Sequence, residues 1–346
     1  MADTQRLGRH RQSPQDKARA PARQRRTSLI VIISAAGMAV IVAAVFVVHS
    51  IALPTLNAPT SSHRNQYTLP AAPDSYIGVY MHGIPQSYAN VRAFSTATHV
   101  KPDVILYYSG WEEPFQTKFA ATAADNGQVP LVQINPAGIN ISAISDGQYD
   151  GYLKKYALAV RAYHHPVILS FGHEMNGYWY SWGYTHTSPA TFVAAWQHIV
   201  KLFRSLEVRN VTWLWTINTI HAETRVPSPN PWWPGSSYVT WVGIDGYYVS
   251  PADVFSSVFG PTIAAVRTLT RKPILVAETA SSPAAGQPAK IADLFAGLRL
   301  YGLLGSVWFD STGVVDWRLN SPAAFEAFRR GAEAYRKAAP GTIGQN

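Results

Sequence analysis

From residue 75 onward, short apolar runs rich in β-branched and aromatic residues alternate with longer stretches whose apolar positions recur at helical spacing. The runs fall at 76–82, 103–108, 129–135, 166–171, 211–216, 241–247, 273–277 and 305–309. They are apolar on both faces, as parallel strands covered on both sides are. The clearest helical stretches are 151–163, 189–206, 256–269, 289–301 and 322–337. Ser188 before Pro189, and Ser321 before Pro322, each read as an N-cap followed by proline at the first helical position, where a missing N–H costs nothing. Eight strand–helix pairs over residues 75–340 have the count and size of a (β/α)8 TIM barrel, an α/β fold. A doubly wound open sheet shares the alternation. It usually carries a glycine-rich phosphate turn after its first strand, and none follows residues 76–82. The barrel predicts that any chemistry sits at the C-terminal ends of the strands.

Upstream the pattern changes. Residues 28–48 are an uncharged apolar run of 21 residues without proline, about 30 Å long as a helix and so matched to the bilayer core. Arg25 and Arg26 abut its start, whereas only His49 follows its end. The positive-inside rule then puts residues 1–27 in the cytoplasm and the body outside, a single-pass protein of the cell membrane. The alternative is a secreted protein whose signal peptide is cleaved. The length of the run and the absence of a clear small-residue cleavage site argue for the uncleaved anchor. Residues 49–74, rich in Pro, Ser and Thr and without periodicity, read as a linker.

Charge looks at first like a nucleic-acid signal, because the chain of 346 residues carries a net +9. Residues 1–27 account for +6 of it, with eight Lys/Arg against two Asp. The nearly balanced remainder argues against a nucleic-acid partner. The lack of any cysteine excludes a disulfide scaffold, a thiol nucleophile, an iron–sulfur cluster and a cysteine zinc site.

Two strand ends carry candidate chemistry. The fourth run leads into SFGHEMNGYWYSWG at 170–183, a polar centre with an aromatic wall. A zinc-protease reading of His173–Glu174 requires a second His four residues after the first, and Gly177 stands there. The seventh run ends in Glu278 and Thr279. One such Glu could as readily pair with an arginine or cap a helix. Two of them, on strands four and seven of one barrel, project into the same mouth, and paired carboxylates across a mouth suit glycoside hydrolysis.

The ordered blocks HEMNG with WYSWG, then 210–218, 232–248, 274–281, 307–311 and 316–325, resemble glycoside hydrolase family 26, best known for β-mannanases. The resemblance covers strands four to eight and is loose over strands one to three. It implies that Glu174 is the acid/base, Glu278 the nucleophile, and Tyr247 a hydrogen-bond donor to the nucleophile. His173 would stand beside the acid/base, Trp308 under the sugar at the cleavage point, and Trp179 along a subsite. Asn176 of the same segment, with Trp111 and His82, completes the residues expected to face substrate. Taken alone, Tyr247 and His173 could equally be buried structural residues. The arginine that many family mannanases carry three positions before the strand-four histidine is Ser170 here. The expected activity is retaining, endo-acting hydrolysis of a β-linked polysaccharide, β-1,4-mannan first. A β-1,3:1,4-glucanase, a β-1,3-xylanase or a non-hydrolysing membrane-tethered binder are the alternatives. No metal or cofactor is called for, and a monomer is expected.

Overall fold

The computed structural model describes Leu69, residues 75–220 and residues 225–338; the expected tail and anchor, and most of the linker, lie outside them. Among the described residues no helix is long and apolar enough to cross a membrane. Eight parallel strands close a barrel in sequence order. They are β1 (Tyr76–Met81), β2 (Val104–Gly110), β3 (Val129–Asn135), β4 (Val167–Phe171), β5 (Val211–Asn218), β6 (Trp241–Asp245), β7 (Ile274–Thr279) and β8 (Gly305–Asp310). Closure comes from β1 pairing with β8 along its full length, from Tyr76 opposite Gly305 to Met81 opposite Asp310.

The helices are α1 (Ala89–Thr98), α2 (Thr117–Asp125), α3 (Ser142–Ser145), α4 (Asp150–Tyr163), α5 (Pro189–Ser205), α6 (Phe255–Val258), α7 (Gly260–Leu269), α8 (Gln287–Leu300) and α9 (Pro322–Ala338). Both expected N-caps are present: the Ser188 hydroxyl accepts from the Thr191 N–H at 3.2 Å, and that of Ser321 from Ala324 at 3.2 Å. Two expectations are corrected. The helix expected over 256–269 is broken between α6 and α7, where Gly260 and Pro261 follow Phe259. The connection from β5 to β6 holds no α-helix among its described residues, only a 3-10 turn at Asn230–Trp232. Pro227, Pro229, Pro231 and Pro234 there remove the N–H groups a helix needs.

Alternation along the strands divides the interior into two cores. Val167 and Leu169 of β4, and Trp213 and Trp215 of β5, point outward and pack beneath the helices. Ile168, Leu214, Leu106, Leu131 and Leu275 point inward and fill the lower barrel, which Leu69 and Tyr76 join at its floor. Climbing two residues from that layer, the inward positions turn polar: Leu106 gives way to Tyr108, Leu131 to Gln133, Ile168 to Ser170 and Leu214 to Thr216. The Ser170 and Thr216 hydroxyls meet at 2.9 Å. Above them the barrel opens into its mouth.

Candidate active site

The inward, upper ends of β2, β3 and β7 converge on Glu278. Its Oε1 accepts from the Tyr108 hydroxyl at 2.6 Å and from the Gln133 amide at 2.9 Å. Oε2 accepts from the Tyr247 hydroxyl at 2.8 Å. Burial and the charge of Glu278 hold both phenols well above their usual range, so they stay protonated donors.

Glu174 faces it from the turn that leaves β4. That turn needs left-handed backbone at both Gly172 (φ +54°) and Glu174 (φ +54°). For a residue with a Cβ this conformation costs about 1–2 kcal/mol. Two backbone bonds pin the turn to its neighbours, Gly172 N–H to the Ile134 carbonyl at 2.9 Å and Glu174 N–H to the Thr216 carbonyl at 3.0 Å. The carboxylate accepts from Trp179 Nε1 at 2.8 Å and from the Asn218 amide at 2.5 Å. The loop beyond is folded tightly on itself, since a Cβ on Gly183 would lie 2.1 Å from the Gly177 carbonyl oxygen.

Both carboxyls are buried, and burial raises each above the ordinary range, Glu174 to about 7 and Glu278 to about 8. The charge of Glu174 adds to the rise at Glu278. That contribution vanishes once Glu174 holds the proton. Burial still opposes charge at both; the donors that offset it are three on Glu278 against two on Glu174, which favours the anion at Glu278. Asp245, fully buried at the end of β6, is held well above the carboxylate range by burial and then by both glutamates. Between the glutamates lies a cleft of about 470 Å³, lined also by Tyr108, Asn135, Tyr180, Tyr247, Phe309 and Trp317.

Residues 117–279, which hold both glutamates, match the model of glycosyl hydrolase family 26. Over that stretch the barrel is similar to that family. Endoglucanase H of Acetivibrio thermocellus is 30% identical over 270 residues, 73% of this chain and 30% of that protein. A β-1,3-xylanase of a Vibrio species is 24% identical over 182 residues, 49% of this chain and 38% of the relative. The chain thus spans about a third of the length of these curated relatives. In fold it is similar to the catalytic domain of a Bacillus endo-β-1,4-mannanase (TM-score 0.58, 14% identity, covering 76% of this chain and 87% of that one). The mannanase of Bacillus subtilis gives a TM-score of 0.55 at 14% identity, over 73% and 84% of the two chains.

Within this barrel the expected site residues separate into two groups. Glu174, Glu278, Tyr247 and Trp179 come together, and Trp179 keeps 41% of its surface exposed beside Glu174. His173 lies behind them, neutral because burial lowers its pKa to about 3. Its ring packs 5.6 Å from that of Tyr108, and its Nε2 meets the Tyr180 hydroxyl at 3.1 Å.

The others do not line the cleft. Trp308 is 1% exposed and packs on Phe328 of α9, because alternation along β8 turns Val307 and Phe309 inward and the residue between them outward. Phe309 and Trp317 supply the aromatic faces expected of Trp308. The Asn176 side chain is committed to backbone, donating to the Asn218 and Pro227 carbonyls and accepting from the Asn218 N–H. It positions Asn218, which in turn holds Glu174. Trp111 packs among Tyr149, Tyr152 and Phe171. His82 is exposed and does not line the cleft, and its carbonyl accepts from the Asn90 amide.

Proposed function

We propose that this barrel is a member of glycoside hydrolase family 26 and a retaining endo-β-glycosidase of a β-linked polysaccharide. The observation that carries the reading is the unequal caging of two buried carboxylates across one cleft. Glu278, the better-stabilised anion, attacks the anomeric carbon and forms a covalent glycosyl ester while the glycosidic C–O bond breaks. Glu174 gives its proton to the departing oxygen. Ester formation removes the negative charge at Glu278 and lowers the affinity of Glu174 for a proton. Glu174 then takes a proton from water, whose oxygen attacks the anomeric carbon and releases Glu278. Phe309 and Trp317 offer the apolar faces on which the C–H side of a sugar packs.

For the substrate, the family resemblance points to β-1,4-mannan. The relative at 30% identity bears the name of an endoglucanase, and Ser170 stands where many family mannanases carry arginine. These two observations favour a β-glucan, including the mixed-linkage β-1,3:1,4 form. The test is reducing-end release from mannan, mixed-linkage glucan and β-1,3-xylan by the full chain and by Glu278→Ala. Cleavage of one polymer by the wild type alone supports the reading and names the substrate; equal activity in the variant overturns it. We also propose that residues 28–48 anchor the enzyme in the cell membrane with the barrel outside.

A further inference from the structure

The end of the barrel opposite the mouth is unusual in how its charge is arranged. Lys101 precedes β2, Arg271 and Lys272 precede β7, Arg299 ends α8 just before β8, and Lys337 ends α9. Because β7, β8, β1 and β2 are neighbours in the closed barrel, these five cations share one half of the floor. None has a carboxylate partner among the described residues, and all but the partly covered Lys272 are exposed. The acids of that half are few: Asp103 is already paired with Arg336 at 2.8 Å. Asp125, the exposed acid that ends α2, lies on the β3 side.

Two further features lie on the same half. Leu300, at the end of α8, is 82% exposed and follows Arg299 directly. From Lys101 a cleft of about 400 Å³ extends along α1, lined also by Tyr88, Arg92, Ser95, Thr96, Asn126 and Gln128. Two cations and several small polar groups there match the chemistry of a phosphate headgroup. Leu69 packs into the lower barrel with Tyr76. Only residues 49–68 separate Leu69 from the apolar run, and that length spans at most about 70 Å.

We propose that this half of the floor is a membrane-docking face: its five cations lie on anionic phospholipid headgroups and Leu300 dips among them, so that the mouth points away from the bilayer. The proposal rests on the membrane-anchor reading for its geometry, and the unpaired cations and exposed leucine carry the choice of partner. Each cation near an anionic surface strengthens partitioning about fivefold, an effect that salt screens.

The chain contains no cysteine, so a single introduced thiol can be labelled uniquely. Leu300→Cys on the floor and Val314→Cys, fully exposed in the loop after β8, would each carry an environment-sensitive dye on the full-length chain. The chain is reconstituted in vesicles of phosphatidylcholine, with or without phosphatidylglycerol. The dye at 300 is expected to blue-shift only with phosphatidylglycerol and to revert in high salt, while the dye at 314 stays unchanged. Arg271→Gln and Lys272→Gln should each weaken the shift about fivefold in apparent vesicle affinity. No shift at 300, a shift at 314 instead, or a shift at 300 that ignores lipid charge and salt would each overturn docking. Flotation with neutral vesicles in alkaline carbonate reads the anchor separately. A chain that fails it can still be added to anionic vesicles, where the dye at 300 reports docking without the anchor.

Discussion

The mouth and the floor of this barrel both concentrate charge, and they treat it in opposite ways. At the mouth Glu174, Asp245 and Glu278 are buried, and the two glutamates are caged by donors from five different strands or loops. On the floor five cations of the β7–β2 half have no carboxylate partner among the described residues, and four of them are exposed. A buried carboxylate without its donors costs several kcal/mol, whereas an exposed ammonium costs almost nothing to keep or remove. Charge at the mouth is therefore chemistry that the fold must hold in place. Charge on the floor is a property of the surface, open to a partner.

The largest effects should come from the two carboxylates. Glu278→Ala removes the attacking atom, and kcat/KM on the polymer should fall more than about 10⁴-fold, the scale seen when a covalent nucleophile is lost. Glu174→Ala should cost about 10²–10⁴-fold on the polymer. It should cost far less on an aryl glycoside whose leaving group needs no proton. Steady-state kinetics on both substrates separates the roles; an equal loss on the two would remove the acid/base assignment from Glu174.

Two neighbours on β8 then divide stability from catalysis. Trp308 fills the layer between barrel and α9, so Trp308→Ala should destabilise by about 3–5 kcal/mol in denaturant unfolding. Phe309→Ala, at the cleft, should leave more of the stability intact and raise KM instead. This pair also marks how far the sequence could be read. Eight strands, the barrel and both glutamates were legible, because periodicity and two carboxylates after apolar runs are local signals. Which of two adjacent aromatics faces the sugar depends on the phase of alternation, which the closed barrel sets by pairing β8 with β1. Gln133, polar inside the otherwise apolar stretch 129–134, is a signal of an inward partner for a carboxylate. Tyr108 and Asn218, at the ends of their strands, resemble ordinary strand termini until the barrel closes around Glu278 and Glu174. The helix missing after β5 had a signal in four prolines, which the expectation of eight strand–helix pairs passed over.

Smaller effects should appear in the pH profile, where the donors act with predictable sign. Tyr247 lowers the pKa of Glu278, and that group must be ionised to attack. Tyr247→Phe should therefore move the acid limb of kcat/KM upward, by about one pH unit for one lost bond to a charged group. Asn218 lowers the pKa of Glu174, which must be protonated to act as acid. Asn218→Ala should move the alkaline limb upward by a similar amount. The two substitutions push different limbs in the same direction, so one profile for each variant identifies which carboxylate carries which role. An acid-limb shift from Asn218→Ala would reverse the assignment.

The smallest effect is expected where charge is most exposed. Arg271→Gln and Lys272→Gln remove cations that touch no carboxylate among the described residues and lie at the opposite end of the barrel from the cleft. Stability in denaturant should change by no more than about 0.5 kcal/mol. Turnover of a soluble oligosaccharide in detergent should stay within about twofold, since screening removes their field long before it reaches Glu278. If either variant slowed turnover tenfold on that substrate, the floor would be coupled to the mouth through the barrel. The separation of a held, catalytic charge above from a free, docking charge below would then fail.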